Sequence, residues 1–274
     1  MRKESLNKKL LPGGLIENGE RRRDYAFRPP TGAMELAVTQ AAERSNSTPA
    51  AVTQALVHSL EHIADGPPTE ARINALCVAD RQFLMRELAR HLGNAGGWFE
   101  ADCKHCDARF NFSLDYADLP VREAGDGYPF AEVAMDFGRV RLRLPTGADQ
   151  IRLAGKPADH EHALLESLLV EVSHDATVPT TLNAEALAAI ETALEAVSPE
   201  VLRQVAAACP ECGKANNVDL NPYTALTHDS REVLTDVHRI ALHYHWGEAE
   251  ILALPRKRRH DYLRLIDQAR GMTG

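Results

Sequence analysis

Four of the five cysteines form two C-x-x-C pairs, which are the strongest indication of chemistry in the sequence. The first pair is Cys103 and Cys106, and the second is Cys209 and Cys212. Two thiolate pairs at this spacing can complete a tetrahedral zinc site, with each sulfur about 2.3 Å from the metal. Because four thiolates leave no open coordination position, such a zinc ion would be structural and could not activate water.

The two pairs are far apart in the chain, since 103 positions separate Cys106 from Cys209. Redox-active or disulfide-bonded pairs, and pairs that bind no metal, are therefore alternatives to a zinc site. A redox pair of the thioredoxin type belongs to a βαβ context, whereas strand-like runs follow both pairs here, at residues 110–114 and 218–220. We predict two zinc-ribbon-like hairpins. The position behind each second cysteine is expected to need positive φ, which suits Gly213 and is tolerated by Asp107.

The composition is that of a globular protein, with 274 residues of which 44% are hydrophobic and 26% are charged. No run of apolar residues is long enough to span a membrane, and the first residues lack the apolar core of a secretory signal, so we expect a cytoplasmic protein. The net charge of −8 argues against general binding to nucleic acid, which requires a basic face.

The tetrapeptide Pro-Thr-Gly-Ala occurs twice, at residues 30–33 and 145–148. A predicted β-hairpin precedes each copy, and helical sequence and then a C-x-x-C turn follow it. The first hairpin turns at Asn18-Gly19 and the second at residues 136–138. This order predicts an α+β fold in which two tandem repeats share one zinc site. A duplication also explains the distant cysteine pairs, because two equivalent half-sites can meet around one metal.

The predicted domain boundaries follow from this order and from the change of pattern near the C-terminus. They are a flexible N-terminal arm (residues 1–10), a first α+β repeat (11–119), a second α+β repeat (120–228) and a C-terminal helical docking segment (229–274). In that last segment an apolar face over residues 230–245 indicates one helix, and Pro255 begins the final helix.

Capping residues and prolines predict where the helices of the repeats begin. The predicted helices run from Thr48-Pro49 to about His62, from Arg81 to Leu92 with Asp80 as its cap, from Ala184 to Val197 with Asn183 as its cap, and from residue 198 to residue 206.

One short motif is compatible with an enzyme. His58, Glu61 and His62 fit the H-x-x-E-H pattern of inverted zinc peptidases, which places two ligands and a base on one helical face. The sequence offers neither an identifiable acidic third ligand nor a phosphate loop, a dinucleotide fingerprint or a nucleophile elbow. We therefore predict that the protein is not an enzyme.

The C-terminal stretch from Val237 to Leu263 resembles a signature of the baseplate hub assembly proteins of T-even-type contractile phage tails, including those encoded with phage-tail-like extracellular contractile injection systems. It reads as tryptophan, an acidic pair, Ile-Leu-x-Leu-Pro, arginines and Tyr-Leu. The Leu11-Pro-Gly-Gly14 opening, the two PTG segments and the two cysteine turns extend the resemblance over nearly the whole chain. The chain departs from the family pattern at Pro29, where leucine is expected, and in the first cysteine turn, which lacks proline and glycine.

The resemblance implies a non-enzymatic role in building the baseplate or its hub, either as a transient chaperone or as a component of the finished particle. Expected partners are hub, spike or other tail proteins, and neither a membrane nor nucleic acid is expected to bind. The residues predicted to contact a partner are Trp246, Ile251, Leu254, Arg258, Arg259 and Tyr262. The alternative is a zinc-ribbon regulator that binds nucleic acid, against which the acidic net charge argues.

Overall fold

A computed structural model describes residues 9–155, 167–173, 182–227 and 229–271 and has an α+β fold. The chain divides into two compact units that each take three separate segments. Unit 1 consists of Met1–Tyr25, His62–Phe83 and Pro120–Val201, and unit 2 consists of Ala26–Glu61, Leu84–Leu119 and Leu202–Gly274. All four paired cysteines belong to unit 2. The boundaries of the two predicted repeats stay a prediction.

The strands are β1 (Lys9–Glu17), β2 (Glu20–Phe27), β3 (Leu60–Ile63), β4 (Gly96–Asp102), β5 (Arg109–Asp115), β6 (Val121–Arg122), β7 (Phe130–Met135), β8 (Gly138–Arg143), β9 (Leu169–Val172), β10 (Glu200–Val201), β11 (Gln204–Ala208) and β12 (Ala215–Asp219). The α-helices are α1 (Gly32–Glu43), α2 (Thr48–Ser59), α3 (Glu70–Ala75), α4 (Val78–His91), α5 (Gly147–Leu153), α6 (Ala184–Val197), α7 (Ser230–Tyr244), α8 (Glu248–Leu252) and α9 (Arg256–Ala269).

The strands form small sheets, in the orders β1-β2-β3 and β7-β8-β9 and as the pairs β4-β5, β6-β10 and β11-β12. Both predicted hairpins before the PTG segments are confirmed, and the first turns at Asn18 and Gly19, whose φ angles are both positive. In unit 1, α6 packs on β7 around buried Val133, Leu142 and Ile190. In the described residues, no helix is long and apolar enough to cross a membrane.

Several predicted helices are confirmed, and the caps explain their starts. The helix from Ala184 to Val197 has the predicted bounds, and Oδ1 of Asn183 accepts a hydrogen bond from the backbone N–H of Ala186 at 2.8 Å. The C-terminal segment is helical as predicted, and α7, α8 and α9 pack around buried Ile240 and Ile251.

Three helix predictions are wrong in part or in whole. The helix predicted from Thr48 to about His62 ends at Ser59, where β3 follows. Residues 198–206 form β10 and the start of β11 rather than a helix, because β11 pairs with β12 along its whole length. This pairing within the hairpin that carries the second cysteine turn overrides the helix propensity of an alanine-rich segment. Asp80 does not cap a helix, since α4 already begins at Val78. Its buried carboxylate instead accepts hydrogen bonds from the backbone N–H groups of Gly13 and Gly14, both at 2.7 Å.

The second PTG segment lies against the start of α4 within unit 1. Gly147 donates its backbone N–H to the carbonyl oxygen of Leu76 at 3.1 Å, and Thr146 forms an antiparallel bridge with Cys77. A Cβ atom on Gly147 would lie 2.4 Å from Nη1 of Arg81, a side chain that is only 1% exposed. We call these five residues the PTG junction of unit 1.

The first PTG segment makes the same contacts within unit 2. Gly32 donates its N–H to the carbonyl oxygen of Leu254 at 3.0 Å, and Thr31 forms an antiparallel bridge with Pro255. A Cβ atom on Gly32 would lie 2.7 Å from Nη1 of Arg259, which is also 1% exposed. We call these residues the PTG junction of unit 2.

The two segments that receive the PTG residues are themselves similar in sequence. Residues 70–81 read EARINALCVADR and residues 248–259 read EAEILALPRKRR, so glutamate, alanine, isoleucine, leucine and arginine recur at matching positions. Each leucine accepts the glycine N–H, and each arginine lies beside the glycine that lacks a side chain. A single pattern of residues therefore produces the same backbone contact twice.

Candidate metal centre

Two antiparallel hairpins of unit 2 carry the cysteine turns, β4-β5 the first and β11-β12 the second. In the first turn, the N–H of Cys103 donates to the carbonyl oxygen of Ala108 at 2.9 Å, and the N–H of Asp107 donates back to the carbonyl oxygen of Cys103 at 3.0 Å. These two hydrogen bonds close the loop, so both cysteine side chains are presented by one rigid turn.

The second turn repeats this arrangement. The N–H of Cys209 donates to the carbonyl oxygen of Lys214 at 2.9 Å, and the N–H of Gly213 donates to the carbonyl oxygen of Cys209 at 2.8 Å. The residue behind the second cysteine has positive φ in both turns, 58° at Asp107 and 71° at Gly213. The prediction of left-handed backbone at these two positions is therefore confirmed.

The sulfur atoms of the four cysteines meet in one cluster. Their Sγ atoms all lie within 4.8 Å of one another, and the Cys103–Cys212 and Cys106–Cys209 separations are 3.6 and 3.8 Å. Four thiolates about 2.3 Å from a tetrahedral metal would be about 3.8 Å apart, whereas a disulfide requires about 2.05 Å. All four cysteines are free thiols. The set fits a single metal ion with four sulfur ligands, as the spacing of the pairs predicted.

The first cysteine of each turn is anchored in a small apolar core. Cys103 and Cys209 are each 1% exposed and pack with Phe110 and Ala207. Cys106 and Cys212 are exposed. One side of the cluster is therefore held by hydrophobic packing while the other faces the surface.

The thiols of the first turn have strongly perturbed acidities. Burial raises the pKa of Cys103, but hydrogen bonds from the backbone N–H groups of His105 and Cys106 and from the side chains of Asn216 and Cys212 together outweigh this effect and lower the pKa to about 6. The backbone N–H of Ala108 lowers the pKa of Cys106, yet burial and the sulfurs of Cys212, Cys103 and Cys209 raise it to about 12. The surrounding protein groups therefore favour the thiolate form of Cys103 and disfavour that of Cys106. A bound cation would allow Cys106 to ionise as well.

Asn216 connects the two turns, and the sequence reasoning missed it. Its Nδ2 donates to Sγ of Cys103 at 3.5 Å and to the carbonyl oxygen of Lys214 at 3.1 Å, while its Oδ1 accepts the N–H of Lys104 at 2.9 Å. The side chain is 3% exposed. Asparagine is unfavourable in a strand, but β12 also contains Asn217, so residue type alone does not single out Asn216.

The residues predicted to contact a partner differ in their exposure to solvent. Ile251 is fully buried in the core of the C-terminal helices, and Arg259 is 1% exposed, with Nη2 2.8 Å from Oε2 of Glu35. Both therefore stabilise unit 2 instead of facing solvent. Trp246, Leu254 and Tyr262 are half-buried, and Arg258 is exposed. Trp246 and Tyr262 pack edge to face, with ring centroids 5.0 Å apart.

The peptidase-like motif lacks the helical context that it requires. Helix α2 ends at Ser59, and residues 60–63 form β3, so His58 is helical while Glu61 and His62 are extended. Nε2 of His62 lies 3.3 Å from Oδ2 of Asp24. The expectation of three functional side chains on one helical face is wrong for this segment.

Comparisons with protein-family models, curated proteins and solved structures give no match to this chain.

Proposed function

We propose that this protein is a non-enzymatic assembly factor or component of the baseplate or hub of a contractile, phage-tail-like particle. The resemblance of its C-terminal stretch, its PTG segments and its cysteine turns to baseplate hub assembly proteins supports this proposal. The structural observation that carries it is the closed cluster of four sulfurs. A metal ion held by all four sulfurs would stabilise a scaffold and would have no open coordination position at which a substrate could react.

We propose that the metal is zinc and that its role is structural. Cys103 and Cys106 would hold it from one hairpin, and Cys209 and Cys212 from the other. Zinc is the metal most often bound by four cysteines on two C-x-x-C turns, and it adds no redox chemistry. Its binding would join two hairpins that are far apart in the sequence.

We propose that tail proteins bind exposed side chains of α7 and α9. Leu242 on α7 and Leu265 on α9 are 60% and 52% exposed. Leu234 lies eight positions before Leu242, which puts both on one face of α7. Arg258 is the exposed arginine among the residues predicted from the sequence. The proposed docking surface therefore consists of Leu234, Leu242, Arg258 and Leu265.

The metal proposal is tested by elemental analysis of the purified full chain. We expect one zinc ion per chain, and we expect Cys209→Ser to reduce the ratio to well below one. Cys77→Ala is the matched control, because Cys77 is buried elsewhere and is not in the sulfur cluster. A strong chelator should lower the melting temperature without unfolding the whole chain, since structural zinc contributes about 10 kcal/mol in small domains. Metal-free protein, or iron at the same ratio, would contradict the zinc proposal.

The assembly proposal is tested by affinity capture from cells that express the native gene neighbourhood, after nuclease treatment, with mass spectrometry of the captured proteins. We expect hub, spike or other tail proteins. Leu242→Asp and Arg258→Glu should each reduce their recovery at unchanged melting temperature. Arg139→Glu, a charge reversal at an exposed position in β8, is the matched control and should not reduce the recovery of tail proteins. Unchanged capture by both variants would contradict the docking surface, and capture without tail proteins would contradict the assembly role.

The alternative of a zinc-ribbon regulator predicts a different result. Binding to nucleic acid would be salt-dependent, because phosphate contacts release counterions. Retention of DNA or RNA by the pure protein at 50 mM salt and its loss at 200 mM would favour this alternative. The net charge of −8 leads us to expect no retention.

A further inference from the structure

The two cysteine turns have the same backbone arrangement but differ at two corresponding positions. The residue directly after the first cysteine is Lys104 in the first turn and Pro210 in the second. Four residues after the second cysteine stand Phe110 in the first hairpin and Asn216 in the second, and both side chains are buried. Both differences concern one hydrogen bond that crosses from one hairpin to the other.

The amide of Asn216 makes this hydrogen bond with the first turn. Its Oδ1 accepts the backbone N–H of Lys104 at 2.9 Å. In the second turn the corresponding residue, Pro210, has no N–H to donate, and the position that corresponds to Asn216 is occupied by the apolar Phe110. The donor and its acceptor are therefore both present in one direction across the pair of hairpins and both absent in the other.

Two backbone groups fix the orientation of the Asn216 amide. Oδ1 faces a donor, the N–H of Lys104, while Nδ2 faces an acceptor, the carbonyl oxygen of Lys214, at 3.1 Å. The opposite assignment of oxygen and nitrogen would bring donor to donor and acceptor to acceptor at these contacts. One N–H of Nδ2 then remains, and Nδ2 lies 3.5 Å from Sγ of Cys103. The amide therefore presents a donor, and not an acceptor, to this sulfur.

Cys103 differs from the other three cysteines in the donors that it receives. Its Sγ accepts the backbone N–H of His105 at 3.4 Å in addition to the N–H of Asn216. Among the residues that the structure describes, no side-chain N–H donates to the sulfur of another cysteine of the cluster. Hydrogen bonds from neighbouring groups orient a metal ligand and tune its charge. Cys103 is therefore the ligand that depends most on a side chain outside the cluster itself.

We propose that Asn216 is a positioning residue of the metal centre. It holds the two cysteine turns together before a metal binds, and it donates its remaining N–H to the sulfur of Cys103. Because all three contacts of its amide are made to protein groups, this link between the hairpins does not require a metal. The role at Cys103 rests on the metal site proposed above, whereas the link between the turns does not.

The first experiment measures amide hydrogen exchange in the full-length native protein treated with a strong chelator. We expect the N–H of Lys104 to exchange at least about tenfold more slowly than in an unfolded chain, because Asn216 accepts it without a metal. Asn216→Ala should remove this protection. Asn217→Ala is the matched control, since Asn217 is the exposed neighbour in β12, and it should keep the protection. Exchange of Lys104 at the unfolded rate in the chelated native protein would overturn the link between the turns.

The second experiment measures metal binding by competition with a coloured chelator and by absorption spectroscopy with Co²⁺ as the probe. Asn216→Ala should weaken zinc binding about 10–100-fold, as loss of a group that supports a ligand does, and Asn217→Ala should not change it. The sulfur-to-cobalt charge-transfer band of Asn216→Ala should move to lower energy, because a sulfur that loses an N–H donor releases electron density more readily. Unchanged zinc affinity, or an unchanged band at full cobalt occupancy, would overturn the role at Cys103.

A double variant separates the two contacts of the amide and keeps the test decisive if Asn216→Ala does not fold. Asn216→Leu leaves the N–H of Lys104 without its acceptor, and adding Lys104→Pro removes that N–H, as in the second turn. Because removal of both partners costs less than removal of one, the double variant should bind zinc about tenfold more tightly than Asn216→Leu alone, while its cobalt band stays shifted.

No gain from Lys104→Pro would overturn the contact between Asn216 and Lys104. If the native protein binds neither zinc nor cobalt, the metal proposal fails and the role of Asn216 at Cys103 fails with it. Slow exchange at Lys104 in that protein would still support the link between the turns.

Discussion

The two PTG junctions share one backbone arrangement but differ in how their carboxylates are used. In unit 1, the acid that follows the PTG segment is Asp149, which accepts two hydrogen bonds from Arg143 at 2.6 and 2.8 Å and one from the N–H of Thr146 at 2.9 Å. It therefore fixes the start of α5 to strand β8. The arginine of this junction, Arg81, donates to the carbonyl oxygen of Ile73 at 3.2 Å.

In unit 2, the first acid after the PTG segment is Glu35, and it is directed to the arginine of the junction itself. Arg259 donates to Oε2 of Glu35 at 2.8 Å and to the carbonyl oxygen of Leu254 at 3.0 Å. The difference indicates that glycine, leucine and arginine specify the contact, while the position of the nearby acid decides which groups the charge stabilises. In unit 2 that position also leaves Oε1 of Glu35 buried without a hydrogen-bond partner among the described residues.

The largest expected effect is the loss of the buried ion pair in unit 2. Arg259→Met should lower the free energy of unfolding by about 3–5 kcal/mol, because Glu35 is left as a buried charge with no strong partner. Arg258→Met changes an exposed neighbour and should cost less than about 0.5 kcal/mol. Urea unfolding followed by circular dichroism measures both. The double variant Glu35→Leu with Arg259→Met should recover most of the loss. An equal effect of the two single variants would contradict the burial of Arg259.

The junction of unit 1 should depend on Asp149 instead. Asp149→Asn should lower the free energy of unfolding by about 2–3 kcal/mol at neutral pH, since it weakens charge-assisted hydrogen bonds to Arg143 and Thr146. The corresponding position of unit 2 is Met34, and Met34→Leu should cost less than about 1.5 kcal/mol. A loss below 0.5 kcal/mol for Asp149→Asn would mean that the acid does not hold α5.

This carboxylate also gives a pH dependence with a definite sign. Burial alone would raise the pKa of Asp149, but the hydrogen bonds and charge of Arg143 and the N–H of Thr146 outweigh it and hold the pKa well below its usual range. The stability that Asp149 contributes is therefore present at neutral pH and is lost as the pH falls through the acid range. The difference in urea midpoint between the native protein and Asp149→Asn should shrink below about pH 4. A constant difference down to pH 2 would contradict this.

The glycines test what the two junctions have in common. Gly147→Ala and Gly32→Ala should each cost about 1–3 kcal/mol, because the added Cβ would lie 2.4 Å and 2.7 Å from a buried guanidinium nitrogen. Ala33→Ser, at an exposed position beside Gly32, is the control and should cost about 0.5 kcal/mol or less. If one of the two variants lost much stability and the other lost none, the two junctions would not be equivalent.

The smallest expected effect concerns the helix cap of unit 2. Oγ1 of Thr31 accepts the N–H of Met34 at 3.4 Å, a long hydrogen bond. Thr31→Ala should therefore cost about 0.5–1 kcal/mol, the lower part of the range for a cap. Thermal unfolding of the variant beside Thr31→Ser measures it, and Thr31→Ser should stay close to the native protein.

Local patterns predicted much of the fold and of the metal centre. The cysteine spacing predicted two equivalent turns, and the turn positions Asp107 and Gly213 have the expected backbone. Asn183 predicted a helix start correctly because a cap is satisfied within three residues. The duplicated PTGA marked the junctions, but the segments that receive it were not recognised from the sequence.

The errors arose where distant segments decide the outcome. Glu200 and Val201, predicted to be helical, form strand β10 because β6 pairs with them from 78 or more positions earlier in the chain. Asp80 was expected to cap a helix, but its carboxylate accepts hydrogen bonds from the backbone N–H groups of Gly13 and Gly14, which are 67 and 66 residues away. Arg259 looked like a surface charge within a basic run, and its burial is explained by Glu35, Asp236 and the carbonyl oxygen of Leu254.

The sequence by itself determined the structures that close within a few residues, namely the cysteine turns, the capped helices and the Asn-Gly hairpin. Their hydrogen bonds and backbone angles depend on neighbours in the chain, so residue type and spacing suffice. Only the tertiary structure decided that four cysteines from two distant hairpins meet, and which arginines and carboxylates are buried. The sulfur cluster and the Glu35–Arg259 ion pair join groups more than 100 positions apart, and no local pattern contains their desolvation and pairing energies.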